Sequence, residues 1–175
     1  MDKKEVNNKL DIKEIIMYIL IVIVILLIKK FIISPIRVNG TSMDPTLENG
    51  DIMILNKIGY RITKIKRFDI VVIKYKDELL IKRVIGLPGE KIKYVNNTLY
   101  VNGKKLDEEF DKTYTYNFSL KEIGSTTVPD DSYFVLGDNR EVSKDSRSIG
   151  FIDREDIIGK SSLTLFPFNR FGTKK

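Results

Sequence analysis

Residues 78–90, ELLIKRVIGLPGE, decide how this chain folds. Five aliphatic side chains surround a Lys-Arg pair, and the run closes on Leu-Pro-Gly. Such a composition suits a pleated surface. At a period of two, Leu80, Lys82 and Val84 share one face, while Ile81, Arg83 and Ile85 share the other. The strand then holds a lysine among aliphatic neighbours, and two readings stay open. Lys82 alternates outward from a half-buried strand, or it points inward, where desolvation disfavours the charged amine and lowers its pKa. In the second case Arg83 needs a partner.

Similar short runs lie on both sides: DIMILN (51–56), FDIVVIKY (68–75), IKYVNN (92–97), TLYVNG (98–103) and SYFVLGD (132–138). Residues 94–106 read as a small meander with turns at Asn96–Asn97 and Asn102–Gly103. The segment 107–126, DEEFDKTYTYNFSLKEIGST, has the weakest pattern and is expected to be an exposed excursion. With no internal repeat and no low-complexity linker, residues 36–175 read as one mostly-β domain of antiparallel sheets.

The N-terminal part differs. Residues 15–28, IIMYILIVIVILLI, carry no charge and are bracketed by Glu14 and Lys29–Lys30. Fourteen helical residues span only ~21 Å, short of a ~30 Å hydrocarbon core. Counting from Ile15 to Ile33 gives ~28 Å, because lysine stems can snorkel, and Pro35 is expected to end the helix. A buried core helix would need covering elements that a β-rich remainder does not supply. A cleaved leader would need a small-residue site after the run, and KKFIISPIRV offers none that convinces. The expected division is a short N-terminal segment (1–14), a transmembrane anchor (15–33) and the β-domain (36–175). Lys3, Lys4, Lys9 and Lys13 precede the span, and Lys29, Lys30 and Arg37 follow it, so flanking charge orients it only slightly.

The chain has 175 residues and a net charge of +6. Nucleic acid or an anionic membrane surface would fit that balance, as would a solvated charged face. The lysines are scattered without an aromatic-interleaved basic tract, and no nucleic-acid partner is expected. Cysteine and histidine are both absent. Disulfides, catalytic thiols and Ser-His-Asp chemistry are therefore excluded, and a zinc site is not expected.

Ser42 stands in VNGTSMDPTL (38–47), just after the apolar run. It is an ordinary turn serine or a nucleophile. A nucleophile needs a base, which without histidine is Lys, Asp, Glu or Tyr. Lys82 is the lysine with apolar flanks, and a neutral amine can accept a serine proton. A third stretch, GDNREVSKDSRSIG (137–150), leaves an apolar strand and is dense in polar groups. It reads as a turn and solvated loop, or as a site in which Asp145 and Arg147, two apart on an extended segment, pair.

Four blocks in order, SMDPTL (42–47), RFDIVVI (67–73), KRVIGLPGE (82–90) and GDNREVSKDSRSIG (137–150), follow one apolar anchor. Together they resemble the bacterial type I signal peptidases, over nearly the whole chain to about Phe166. The resemblance implies a signal-peptidase-like antiparallel β catalytic domain of two sheet regions, preceded by one transmembrane helix. It implies a single-pass cell-membrane protein with its N-terminus cytoplasmic and its catalytic domain extracytoplasmic. The implied reaction is cleavage of signal peptides from exported preproteins, after a small residue, without cofactor or metal. By position Ser42 is the nucleophile, Lys82 the general base and Ser143 a hydrogen-bond partner of the lysine amine. Asp138 is expected to pair with Arg83, and Asp145 with Arg147. Some members carry a serine where this chain has Gly40, as single-anchor Gram-positive members do not. The oxyanion site is expected to use the Ser42 N–H and a donor in the Gly40 region.

Two rivals are distinguishable. A self-cleaving Ser-Lys repressor would need a DNA-binding module, and residues 1–14 are too short for one. A tethered β-domain that only binds a partner would bind a preprotein without cutting it.

Overall fold

The computed structural model describes residues 11–58 and 64–174. Most of the expected N-terminal segment 1–14, including Lys3, Lys4 and Lys9, lies outside the described residues.

Helix α1 spans Ile12–Phe31, with Asp11 as its N-cap. The chain does not stay helical to Pro35. It turns at Ile32 and enters strand β1, Ile33–Arg37, with Pro35 inside it. Pro35 is tolerated there because β1 is an edge strand, paired only with β2 (Ile52–Asn56). No helix among the described residues is long and apolar enough to cross a membrane. The uncharged part of α1 is residues 15–28, and Lys29–Lys30 fall in its last turn.

The next strands are β3 (Ile70–Tyr75) and β4 (Glu78–Gly86). Strands β5 (Ile92–Val95), β6 (Thr98–Val101) and β7 (Lys104–Leu106) form the expected meander. Its two turns carry positive φ at Asn96, Asn97, Asn102 and Gly103, which hairpin turns of this length demand. Then follow β8 (Phe118–Ser119), β9 (Ser132–Leu136), helical turn α2 (Ser146–Ile149), β10 (Ile152–Asp153), β11 (Ile157–Phe166) and β12 (Gly172–Thr173). Among the described residues the strands build two antiparallel sheets. The larger runs β1-β2-β11-β3-β4-β9-β10 with β12 on β11, and the smaller runs β7-β6-β5-β8.

β11 was not legible in the sequence. Gly159, Lys160, Ser161 and Ser162 dilute its apolar content, yet it lies between β2 and β3. Gly159 is there because a Cβ would stand 2.5 Å from the Leu55 side chain and 2.7 Å from the Asn56 carbonyl.

The larger sheet is buried on both faces around β4. One cluster joins Val71, Ile73, Val84, Val135 and Ile157, and another joins Val38, Met43, Leu47, Ile70, Val72 and Ile81. Hence β4 shows no one-sided alternation: its first residues Glu78 and Leu79 are both exposed. From Ile81 to Gly86 every residue is buried.

The excursion 107–126 is not simply exposed. Phe118 and Leu120 enter the core between the sheets, and Phe110 packs edge-on against Phe68. Its weak apolar pattern hides polar anchors that find partners only in the folded chain.

Because Gly159 faces a backbone carbonyl that cannot move away cheaply, Gly159→Ala should overpack the β2–β11 contact. The expected cost is ~2 kcal/mol, read as a lower thermal midpoint with unchanged sheet content by circular dichroism.

Candidate active site

Ser42 is placed by a loop that leaves β1 and returns to β2. Its neck is closed by Val38 N–H donating to the Asp51 carbonyl at 2.8 Å and Gly50 N–H to the Val38 carbonyl at 2.9 Å. Met43 and Leu47 plug the loop into the core. Gly40 takes φ +87°, and its N–H donates to Asn49 Oδ1 at 2.9 Å. That amide is engaged within the loop itself. No partner engages the Ser42 N–H among the described residues.

Lys82 comes from the middle of β4, opposite Val71 on β3. It is 2% exposed, and Nζ donates to Ser42 Oγ at 2.6 Å. The inward reading is the correct one. Burial pushes the amine down to about 8, against the opposing fields of Asp145 and Asp138, and no carboxylate bridges it among the described residues. Next to it Arg83 is fully buried and paired. Nε donates to Asp138 Oδ1 at 2.8 Å and Nη2 to Oδ2 at 2.6 Å, and the guanidinium lies 3.9 Å from the Phe110 ring centre.

The 137–150 block closes over the serine. Asn139 N–H donates to the Ser42 carbonyl at 3.1 Å. Gly137 is squeezed between two loops of the site: a Cβ there would lie 2.3 Å from both the Ser42 carbonyl and Ser143 Oγ. Asp145 and Arg147 pair, with Nε–Oδ1 and Nη2–Oδ2 both 2.8 Å. They do so not on an extended segment but at a helix start, where Asp145 caps α2 and also accepts from Gly137 N–H at 3.1 Å. Ser143 is brought to the site, but its Oγ is buried without a hydrogen bond and does not reach Lys82. The lysine amine is directed at Ser42 instead.

Sequence reading missed the network around Arg140. This guanidinium is 2% exposed and donates to the Gly137 carbonyl (2.9 Å), Tyr94 Oη (3.0 Å), Thr115 Oγ1 (2.6 Å) and Glu108 Oε1 (2.6 Å). Lys112 adds an ion pair to Glu108 at 3.4 Å and donates to Asn97 Oδ1 at 2.6 Å. Arg140 thus ties the excursion and the meander to the backbone of the 137–150 block. Its signal was present only as one more arginine in a polar stretch.

A cavity of about 310 Å³ opens beside Ser42 and Lys82, between residues 35–39 and 79–82. A hydroxyl held against a desolvated amine, at the floor of a groove between two extended segments, is the equipment of a serine hydrolase that replaces imidazole with lysine. Residues 12–166 match the family described as "Signal peptidase, peptidase S26". The chain is 42% identical to signal peptidase IB of Staphylococcus aureus, with 93% of this chain and 94% of the relative covered. It is 46% identical to signal peptidase I of Bacillus caldolyticus, covering 86% and 88%. A crystal structure of a signal peptidase I from Enterococcus faecalis superposes with a TM-score of 0.53 at 39% identity, over 56% of this chain and 97% of that one. The chain belongs to the signal peptidase family, peptidase S26.

Arg140→Ala leaves the Glu108 carboxylate buried without its guanidinium, which typically costs 3–5 kcal/mol. The expected result is a large fall in the denaturant midpoint. A double-mutant cycle with Glu108→Gln should show strong coupling.

Proposed function

We propose that Ser42 is the nucleophile and Lys82 the general base in the signal-peptide cleavage of this family. The 2.6 Å contact between Lys82 Nζ and Ser42 Oγ carries the reading. Below its pKa the amine is an ammonium that donates to Oγ and cannot take a proton. Above it the neutral amine accepts the hydroxyl proton as Oγ attacks the scissile carbonyl, then returns that proton to the departing amine. Water repeats the sequence on the acyl-enzyme. The Ser42 N–H is one donor toward the developing oxyanion. Ser143 is proposed as a positioning residue for Lys82, because its buried hydroxyl lacks a partner and sits against Gly137 beside the serine. The Arg83–Asp138 and Arg147–Asp145 pairs brace the two walls of the site.

The substrate is expected to lie extended in the groove. β4 pairs with β9 only from Arg83 onward, and β1 is an edge strand, so residues 79–82 and 33–37 both offer backbone for strand addition. The signal-peptide-bearing preprotein is thus the partner, and no cofactor enters any step.

The chain is also proposed to sit at a membrane through α1, with the β-domain on the extracytoplasmic side. Between its charged ends the helix is apolar all round, and residues 15–28 are 41–58% exposed, with no covering element among the described residues. An all-apolar helix is stable in lipid and not in water. Lys29 at its end can snorkel to the headgroups, extending a short uncharged run.

Two results test this. Lys82→Arg keeps the charge but cannot deprotonate, and it should lose ~10³-fold or more in preprotein cleavage, as should Ser42→Ala. In the wild type, kcat/KM should rise about tenfold per pH unit below about 8 and level above it, the limb set by Lys82. A Lys82→Arg enzyme that cuts near the wild-type rate would remove lysine from the mechanism. For the anchor, the wild-type chain should resist alkaline carbonate extraction from membranes. Val22→Lys with Ile25→Lys should release it, and protease added outside wall-less cells should digest the β-domain.

A further inference from the structure

The family match ends at Phe166, yet the chain continues into a tail that returns to the sheet. After β11 the backbone makes a single 3-10 turn, Phe168–Arg170. It then runs back as β12, pairing Thr173 with Leu163 and Gly172 with Thr164. Lys174 N–H donates to the Ser162 carbonyl at 2.6 Å. The tail is therefore held on both sides of its turn, and Arg170 sits at the reversal.

From there the Arg170 guanidinium reaches the back of the loop that carries Ser42. Nε donates to both oxygens of Asp51 at 3.2 Å. Nη1 donates to Glu48 Oε1 at 2.6 Å. Nη2 donates to the Thr46 carbonyl at 3.1 Å and, at the limit of reach, to the Pro45 carbonyl at 3.5 Å. One planar fork thus ties four residues of the seven-residue span 45–51, a set that a point charge such as lysine cannot match.

The far end of this span is itself a hub. Asp51 is 2% exposed, and its carboxylate also accepts Glu48 N–H at 3.1 Å. Its carbonyl closes the loop neck on Val38, a residue that lines the groove. On the opposite side the Ser42 carbonyl is held by Asn139. The nucleophile loop is therefore gripped in front by the 137–150 block and behind by the tail. If the rear grip is lost, a buried carboxylate loses its cation and the carbonyls of 45 and 46 lose their donors. The loop is then free to relax, and displacements of about 1 Å in a reacting group can cost ~10²-fold in rate.

We infer that Arg170 is a positioning residue for the reaction: by bridging Asp51, Glu48 and the carbonyls of Pro45 and Thr46, it holds the nucleophile loop so that Ser42 Oγ stays within hydrogen-bond reach of Lys82. The inference rests on the Ser-Lys reading above. Arg170 lies behind the loop, so it acts through Ser42 and makes no contact with the peptide in the groove.

The test uses the full chain in detergent with a purified preprotein, and measures single-turnover cleavage, KM, the pH profile and the thermal midpoint for three variants. Arg170→Ala should lower kcat about tenfold or more, with KM within twofold of wild type. The rising limb that levels near pH 8 should stay in place, because Lys82 keeps its surroundings. Arg170→Lys, which restores the charge opposite Asp51 but not the fork, should recover only part of the loss. Glu48→Gln removes one exposed anchor and should lower kcat two- to threefold without touching the core. If Arg170→Ala does not fold, Arg170→Lys and Glu48→Gln carry the test, and wild-type kcat in both overturns the inference. A rise in KM at unchanged kcat also overturns it, since the tail would then serve substrate binding. So does a loss of rate that tracks only the folded fraction. Ser42→Ala in the same assay keeps the two readings apart. If it cuts, the Ser-Lys assignment fails whatever Arg170 does, and if it is dead while Arg170→Ala is wild type, only the positioning role fails.

Discussion

Two consecutive cations are buried in the middle of one strand, and much of the structure answers to that constraint. Arg83 and Lys82 point to opposite faces of β4, and neither can be left bare in a low-dielectric interior. Arg83 is given a full carboxylate in Asp138 and a ring face in Phe110. Lys82 is given a neutral hydroxyl, with the carboxylates of Asp138 and Asp145 acting on it only at a distance. The difference decides chemistry. The paired cation becomes a brace. The other has its amine pushed down to about 8 by burial, which is what the proposed role of a base requires.

The same constraint explains why the loops are built as they are. Asp138 must arrive at the end of β9, so the 137–150 block has to cross the site within a few residues of Ser42. Gly137 is the residue that permits this approach, because any side chain there would occupy the Ser42 carbonyl and Ser143. Phe110 must lie on Arg83, so the excursion that carries it has to be fastened down. Arg140, Glu108, Tyr94, Thr115 and Lys112 do that with buried, mutually satisfied polar groups. A fully connected network of this kind rigidifies, whereas a partly satisfied one destabilises.

In the proposed function, helix α1 and the open strand edges would address the substrate. β1 follows the helix directly, and the groove lies between β1 and the start of β4, which pairs with β3 on one side and is open on the other. The nucleophile loop is the direct continuation of β1. Helix, edge strand and serine follow one another along about thirty residues of chain, and on the proposed membrane placement this proximity would raise the effective concentration of a membrane-held substrate.

Much of this was legible in the sequence, and the reasons are local. The meander was readable because Asn-Asn and Asn-Gly specify their turns, and β2, β3, β4 and β9 because aliphatic and aromatic runs specify strands. Ser42, Lys82 and the two Arg-Asp pairs were readable through the joint order of four blocks, since histidine and cysteine were absent and few bases remained. The inward direction of Lys82 was favoured by its face-mates Leu80 and Val84 but not decided, because a period of two cannot tell a buried strand with two covered faces from a half-buried one. β11 was missed because its polar residues are satisfied by neighbours distant in sequence, as Ser161 Oγ is by the Ile54 carbonyl at 2.8 Å. The excursion looked exposed for the same reason, and Arg140 and Arg170 looked like any surface arginines. For the lysine amine and the Gly40 amide, only hydrogen-bond geometry gives the partners, Ser42 and Asn49. Composition and spacing determined which groups this protein has and which strands carry them. Only the tertiary structure decided which polar groups meet, because those partners are set by packing across the sheets and not by distance along the chain.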